Sequence, residues 1–168
     1  MDGSWQLAQM NIGTLVADAD DPVVQPFMHA LAEINALAEA SDGFVWRLKD
    51  DTSGGATNIA VAADPRLIVN MSVWESVDAL FEFVYRSAHT SIVARRREFF
   101  TKPPEGRAYQ VLWWVPAGAE PTVADGLAKL WHLDRFGPTP LAFTFKQRFA
   151  PPGELQAAEG KERLVGET

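Results

Sequence analysis

The residues of this chain that could do chemistry are polar groups set into apolar segments. The run from Ser76 to Phe99, drawn as a helix at about 100° per residue, puts Phe81, Ala88, Ile92 and Phe99 at the centre of an apolar stripe. His89 and Arg96 fall toward one edge of it, beside Tyr85. An imidazole and a guanidinium one or two turns apart at the border of an apolar face suit the holding and protonation of an anionic or phenolic small molecule. A structural reading competes: His89 hydrogen-bonds at a helix–sheet seam, and Arg96 lays its stem along apolar surface with its charge in water. Asn35 interrupts the apolar face of an earlier helix, where a primary amide needs a partner from the sheet, a water or a ligand. Gln9 and Asn11 interrupt one apolar strand, and Asn70 and Ser72 another, with Asn70, Ser72 and Trp74 on a shared face by the period of two. If that face turns toward the helices, these side chains line a cleft with His89; if it turns toward a partner sheet, they are interface residues.

Other suggestive features read as structure. Arg95, Arg96 and Arg97 point in three directions on a helix, the pattern of a solvated helix end whose charge suits the C-terminal dipole. Trp46, Trp113, Trp114 and Trp131 read as core and interface volume rather than a cofactor box. His29 and His132 belong to no spaced metal motif, and with three His in all the sequence offers no zinc site. There is no Gly-rich dinucleotide or phosphate loop, no H-E-x-x-H and no G-x-S-x-G.

The elements that must position these residues follow from local pattern. Trp5 to Ile12 alternates as a first strand. Asp20-Asp21-Pro22 supplies an N-cap and a first-turn proline for a helix carrying Val24, Phe27, Met28, Leu31, Ile34 and Ala38, ended by Ser41-Asp42-Gly43. Phe44 to Lys49 and Leu67 to Trp74 are strands separated by a loop rich in Asp, Ser and Gly over 50–57. The long helix from Ser76 follows, then a hydrophobic strand from Ala108 to Val115. Thr122-Val123-Ala124-Asp125 is a capping box with Asp in place of Glu, opening a helix that runs to Gly137-Pro138 with Val123, Leu127, Leu130, Trp131 and Phe136 as its stripe. Phe143 to Phe149 alternates like a last strand with one wet face.

The order βαββαβ followed by a helix and a strand is an α+β fold of ferredoxin-like type with a C-terminal extension. It makes residues 1–149 one domain and residues 150–168 a flexible tail. With helices on one face of the sheet only, the other face needs a cover, and a second copy packed sheet to sheet supplies it: the expected state is a homodimer.

Composition bounds the function. Fifteen Lys and Arg against 22 Asp and Glu give a formal charge of −7, unsuited to nucleic-acid backbone. Six Trp and ten Phe add aromatic volume to an ordinary globular composition, and the absence of cysteine removes disulfides and thiolate chemistry. No apolar stretch approaches membrane-spanning length, and the N-terminus carries no leader pattern, so a cytoplasmic protein is expected.

At W-Q-L-A-Q-M-N-I-G, N-M-S-V-W-E-S, V-Y-R-S-A-H, A-R-R-R-E-F-F, V-L-W-W-V-P-A-G and G-P-T-P-x-A-F-T-F, the chain resembles the bacterial domain-of-unknown-function 3291 family, over Trp5 to Phe149. That family is similar to the dimeric α+β barrel superfamily, which includes antibiotic-biosynthesis monooxygenases, haem-degrading monooxygenases and small isomerases and decarboxylases. In the superfamily's cofactor-independent quinol monooxygenases, a helix–sheet pocket holds a polyphenol whose anion reduces oxygen, helped by Asn, Trp, His and Arg. The resemblance matches Trp74-Glu75-Ser76, Ser87-Ala88-His89 and Asn11, and implies His89 as base with Asn11 or Asn70 as hydrogen-bond donors; Tyr85, Arg96, Asn35 and Ser72, read from their own places in the pattern, are expected with Trp74 around the substrate. It implies no cofactor, with haem as the alternative. Haem degraders place their helix Trp and iron-ligating His where this chain has Phe83 or Val84 and Val93 or Ala94, so His89 would have to ligate from a shifted position. The implied activity is cofactor-free oxygenation, isomerisation or cyclisation of an aromatic or polyketide-like substrate; the alternatives are a non-catalytic ligand- or haem-binding protein and a structural dimer.

Overall fold

A computed structural model describes residues 4–49, 64–86, 91 and 94–154. The elements are β1 (Trp5–Thr14), α1 (Gln25–Glu39), β2 (Phe44–Arg47), β3 (Leu67–Trp74), α2 (Val77–Arg86), α3 (Arg96–Phe99), β4 (Gln110–Pro116) and α4 (Val123–Phe136). The strands form one antiparallel sheet in the order β2-β3-β1-β4. This is the α+β, ferredoxin-like arrangement read from the sequence. Its central pair, β1 and β3, sets Leu7 against Trp74, Gln9 against Ser72, Asn11 against Asn70 and Gly13 against Ile68. All eight residues share one face by the pleat, and that face looks toward α1 and α2.

The opposite face is closed by the chain itself. Ala8, Met10, Val69, Met71, Val73, Val111, Trp113 and Val115 form a buried cluster with Leu130 and Leu133 of α4. Gly126 lets the helix come this close: a Cβ there would run into the Met10 side chain. A mid-helix glycine costs about 1 kcal/mol relative to alanine, which the close packing offsets. The face expected to pair with a second copy is therefore covered within one protomer, by the helix that the sequence placed but could not orient. Trp131 and Phe136, read as part of that helix's buried stripe, lie on its outer side and are 58% exposed. Its buried residues are Gly126, Leu130 and Leu133, and Val123 and Leu127 of the stripe pack against the same cluster.

The capping box of α4 forms as read: Thr122 accepts a hydrogen bond from the Asp125 backbone N–H, and the Asp125 carboxylate accepts one from the Thr122 N–H at 2.8 Å. That backbone bond, with the Thr122 side chain, holds the Asp125 pKa below its ordinary value. Because the folded pKa is the lower one, the contribution is complete above the ordinary aspartate range and is lost as the pH falls through the folded value. Thr122→Ala is expected to cost about 1 kcal/mol in denaturant unfolding at neutral pH. The difference between the two proteins should shrink in acid.

Three elements depart from the sequence reading. The first helix starts at Gln25, with Pro26 in its first turn, while Asp21 spends its side chain accepting from the Val23 N–H at 2.9 Å in the preceding turn. The long helix is interrupted at Arg95, which lies in a turn before the short α3. Residues 87–90 and 92–93, His89 among them, lie outside the described residues. The break has a packing reason. Leu80 of α2 belongs to a cluster around Trp74, whereas Phe99 belongs to another around Phe27 and Leu15.

The third departure is the last strand. Phe143 makes a single antiparallel bridge to Leu112, with N–H···O bonds of 2.9 and 2.8 Å, and no ladder follows. The alternating aromatics serve instead to pin the segment across α2. Phe145 meets the rings of Phe81 and Tyr85, each at 5.8 Å, and Arg148 pairs with Asp78 at 3.1 Å. The Phe149 carbonyl accepts from the Trp114 indole N–H at 2.8 Å. The expected loop over 50–57 and most of the expected tail, 155–168, lie outside the described residues.

Candidate functional site

Between the Gln9 face of the sheet and the helices α1, α2 and α3 lies a cavity of about 240 Å³. Its floor is the row of strand positions that interrupted the hydrophobic pattern. Gln9, 3% exposed, is the hub: its Nε2 donates to Asn70 Oδ1 at 2.8 Å and to Ser72 Oγ at 2.9 Å. Its Oε1 accepts from Asn11 Nδ2 at 3.3 Å. The Trp74 indole N–H donates to the same Ser72 Oγ at 2.9 Å.

The bond inventory gives this network a direction. An indole N–H can only donate, so Ser72 must accept from Trp74, and it accepts from Gln9 as well. Both lone pairs of the hydroxyl are then occupied and its proton has no acceptor among the described residues. Ser72 is 7% exposed, so that proton is left for a group inside the cavity. Asn70 likewise spends its carbonyl on Gln9 and keeps its Nδ2 donors for the cavity, to which its exposed side chain is open. The floor therefore offers donors to an oxygen atom above it.

The walls are aromatic at both ends. Trp74 stacks on Phe83 at 5.2 Å and meets Phe44 edge-on at 5.5 Å. Phe27 packs against Phe99 and Phe100 at 5.9 and 4.9 Å. Next to the second group Arg96 enters the cavity. It lies 4.6 Å from the Phe100 ring and 5.1 Å from the Tyr109 ring, and its Nη2 donates to the Ile12 carbonyl at 3.3 Å. Burial pulls its pKa below the ordinary arginine value, and the nearby Tyr109 acts in the opposite sense. The three-arginine run thus divides: Arg95 is exposed and paired with Glu98 at 2.9 Å, Arg97 is exposed, and Arg96 turns inward.

Asn11, Asn35, Asn70, Ser72, Trp74, Tyr85 and Arg96, expected from the sequence to surround a substrate, all line this one cavity. The open choice between helix side and partner side for the Asn70, Ser72 and Trp74 face falls to the helix side. Tyr85 stands at the rim, its ring 4.6 Å from Phe81. Asn35 reaches the cavity from α1 and has no hydrogen-bond partner among the described residues. His89 lies outside them, so the imidazole proposed as base and as haem ligand has no described position. Gln9, Tyr109 and Gln110 were not singled out as site residues. The period of two that grouped Asn70 with Ser72 also groups Gln9 with Asn11, and that signal was available.

Among the described residues no three His, Cys, Asp or Glu side chains gather as a metal site, and no helix is long and apolar enough to cross a membrane. A family model described as a domain of unknown function, DUF3291, matches residues 6–159. No curated protein matches the chain. Among solved structures, a protein of unknown function from Nitrosomonas europaea, NE2512, is 13% identical with a TM-score of 0.43, over 71% of this chain and 96% of that one. SnoaB, a cofactor-independent oxygenase from Streptomyces nogalater, is 16% identical with a TM-score of 0.41, over 70% and 96%. PA3566 from Pseudomonas aeruginosa is 13% identical with a TM-score of 0.45, over 71% and 100%. Likenesses of this size say nothing of reaction or substrate.

Proposed function

The chain belongs to the DUF3291 family, and from the chemistry of its cavity we propose that it is a small-molecule enzyme acting on an aromatic substrate without a bound cofactor. The observation that carries this reading is the Ser72 hydroxyl, buried, doubly accepting and left with a proton that has no acceptor among the described residues. A structural core would satisfy that group internally or replace it by an apolar one.

A phenolic or carbonyl oxygen seated on Ser72 and Asn70 is stabilised as it gains negative charge, because the donors are held in place before the reaction. The aromatic walls hold the ring system. The anion so formed is an electron-rich carbon nucleophile. With dioxygen as co-substrate, one oxygen atom ends on carbon and the other leaves as water with the two hydrogens that the carbon loses. Without dioxygen, the same anion is reprotonated at another carbon or closes a ring on an internal carbonyl. His89, outside the described residues, is the proposed base.

The test is a panel of phenols, naphthols and hydroxylated polycyclic ketones, followed by oxygen uptake and by product mass in chelator-treated buffer. Turnover of at least one class is expected, with His89→Ala removing turnover and leaving binding intact. A panel in which no aromatic compound binds would sink the reading.

A further inference from the structure

Arg96 is the cation of the cavity that has no counter-ion among the described residues. The described lining includes two guanidinium groups and no carboxylate. Of the two, Arg47 is matched by Glu39 at 2.7 Å. Arg96 makes one hydrogen bond, to the Ile12 carbonyl, and rests against the Phe100 and Tyr109 rings. A guanidinium has several N–H donors in one plane, and the remainder have no protein acceptor among the described residues. In a chain of net charge −7, with carboxylates plentiful elsewhere, this cation sits inside a cavity whose described lining holds none.

The seat is built into the sheet. Gly13 lies under it: a Cβ at that position would stand 2.6 Å from Phe100 Cδ1 and 3.0 Å from Arg96 Nη2. A larger residue there would press on the Phe100 ring and on the guanidinium that rests against it. The row Gly13–Ile68 is one step along the sheet from Asn11–Asn70 and two from Gln9–Ser72. Each step is about 7 Å. The cavity thus presents a fixed positive charge at one end and oxygen-seeking donors one to two rows away.

The two aromatic ends of the cavity suit a planar ring system lying between them. We propose that the cavity takes an aromatic acid, its carboxylate paired in plane with Arg96 and an oxygen substituent at the far end of the ring system on Asn70 and Ser72. This rests on the reading of the cavity as a substrate site and adds to it the charge and orientation of the substrate. Paired, hydrogen-bonded carboxylates are the strongest partners a guanidinium has, which makes the acid group the main source of discrimination.

Calorimetric titration with three probes tests it: 6-hydroxy-2-naphthoate, 2-naphthoate and the uncharged 2-naphthol at neutral pH. The hydroxynaphthoate is expected to bind the parent protein tightest. Arg96→Gln is expected to weaken both acids by about tenfold to a hundredfold and to leave the naphthol unchanged. Gly13→Ala, which crowds the Phe100 ring and the guanidinium without removing the charge, should weaken the acids more than the naphthol. Far-UV circular dichroism of both variants checks that each is folded. Equal binding of naphthol and naphthoate by the parent, or unchanged acid affinity in a folded Arg96→Gln protein, overturns the charge assignment and leaves the aromatic-site reading standing. Failure of all three probes to bind the parent overturns both.

Discussion

Ser72→Ala is expected to lower kcat by about a hundredfold with little change in KM, because a preorganised donor to a developing oxyanion acts on the transition state more than on the bound substrate. The substitution removes the hydroxyl proton that the cavity is offered, and it also strands two donors, Gln9 Nε2 and Trp74 Nε1. Stranding them costs about 1–3 kcal/mol of stability, so folding has to be followed alongside turnover. Ser72→Thr separates the two effects, since it restores the hydroxyl in a strand where a β-branched residue is at home. Rescue of kcat by threonine in a protein of parent-like stability is the expected pattern. A Ser72→Ala enzyme with parental kcat would remove the hydroxyl from the mechanism. The substrate identified by the aromatic panel serves for all these measurements, with steady-state kinetics as the readout.

Leu130→Ala carries the largest expected loss of stability. Leu130 is 5% exposed and packs with Met10, Val69 and Trp113 in the cluster that closes the far face of the sheet. Buried leucine truncations cost about 2–5 kcal/mol, and the middle of that range lowers the melting temperature of a domain this size by about 10 °C. The same experiment tests how the face is covered. With α4 as the cover, the melting temperature of the parent is independent of protein concentration and Leu130→Ala is strongly destabilising. With a second copy as the cover, the melting temperature rises with concentration. A concentration-dependent transition together with a Leu130→Ala effect below about 0.5 kcal/mol would put the partner sheet back where the sequence reading had it.

The element order was legible because each strand and helix announces itself locally. The alternation of β1, the box Thr122–Asp125 and the left-handed Gly43 at the end of the first helix are signals within a few residues, and each appears in the structure. Gly43 shows the limit of such a signal. Its φ of 82° was readable as a helix stop, but its second role, leaving room for Ala79 of α2 where a Cβ would come within 2.5 Å, belongs to two segments far apart in the chain. The helix break before Arg96 was invisible for the same reason. An apolar period of 3.6 continues smoothly through Arg95, and only the separate demands of the Trp74 and Phe27 clusters divide the segment.

The polar floor was half legible. Asn11, Asn70 and Ser72 stood out because amides and hydroxyls in apolar strands require partners, and their shared face followed from the pleat. Gln9 was passed over, although the antiparallel register makes it the donor that joins Asn70 to Ser72. The last aromatic segment shows the reverse case. Period two from Phe143 to Phe149 is a strand pattern, yet the rings are spent on α2 and the backbone forms one bridge.

By itself, then, the sequence determined the βαββαβ order, the Thr122–Asp125 capping box, the absence of known cofactor and metal motifs, and which polar residues had no place in a core. Those follow from propensity, periodicity and the cost of an unpaired polar group, all of which act over short stretches of chain. The tertiary structure alone decided that the Asn70 and Ser72 face looks onto a cavity, that α4 closes the other face, and that one arginine of three turns inward over Gly13. Such choices compare whole packings, in which the volume at Met10 and Gly126 and the clusters around Trp74 and Phe27 are settled together.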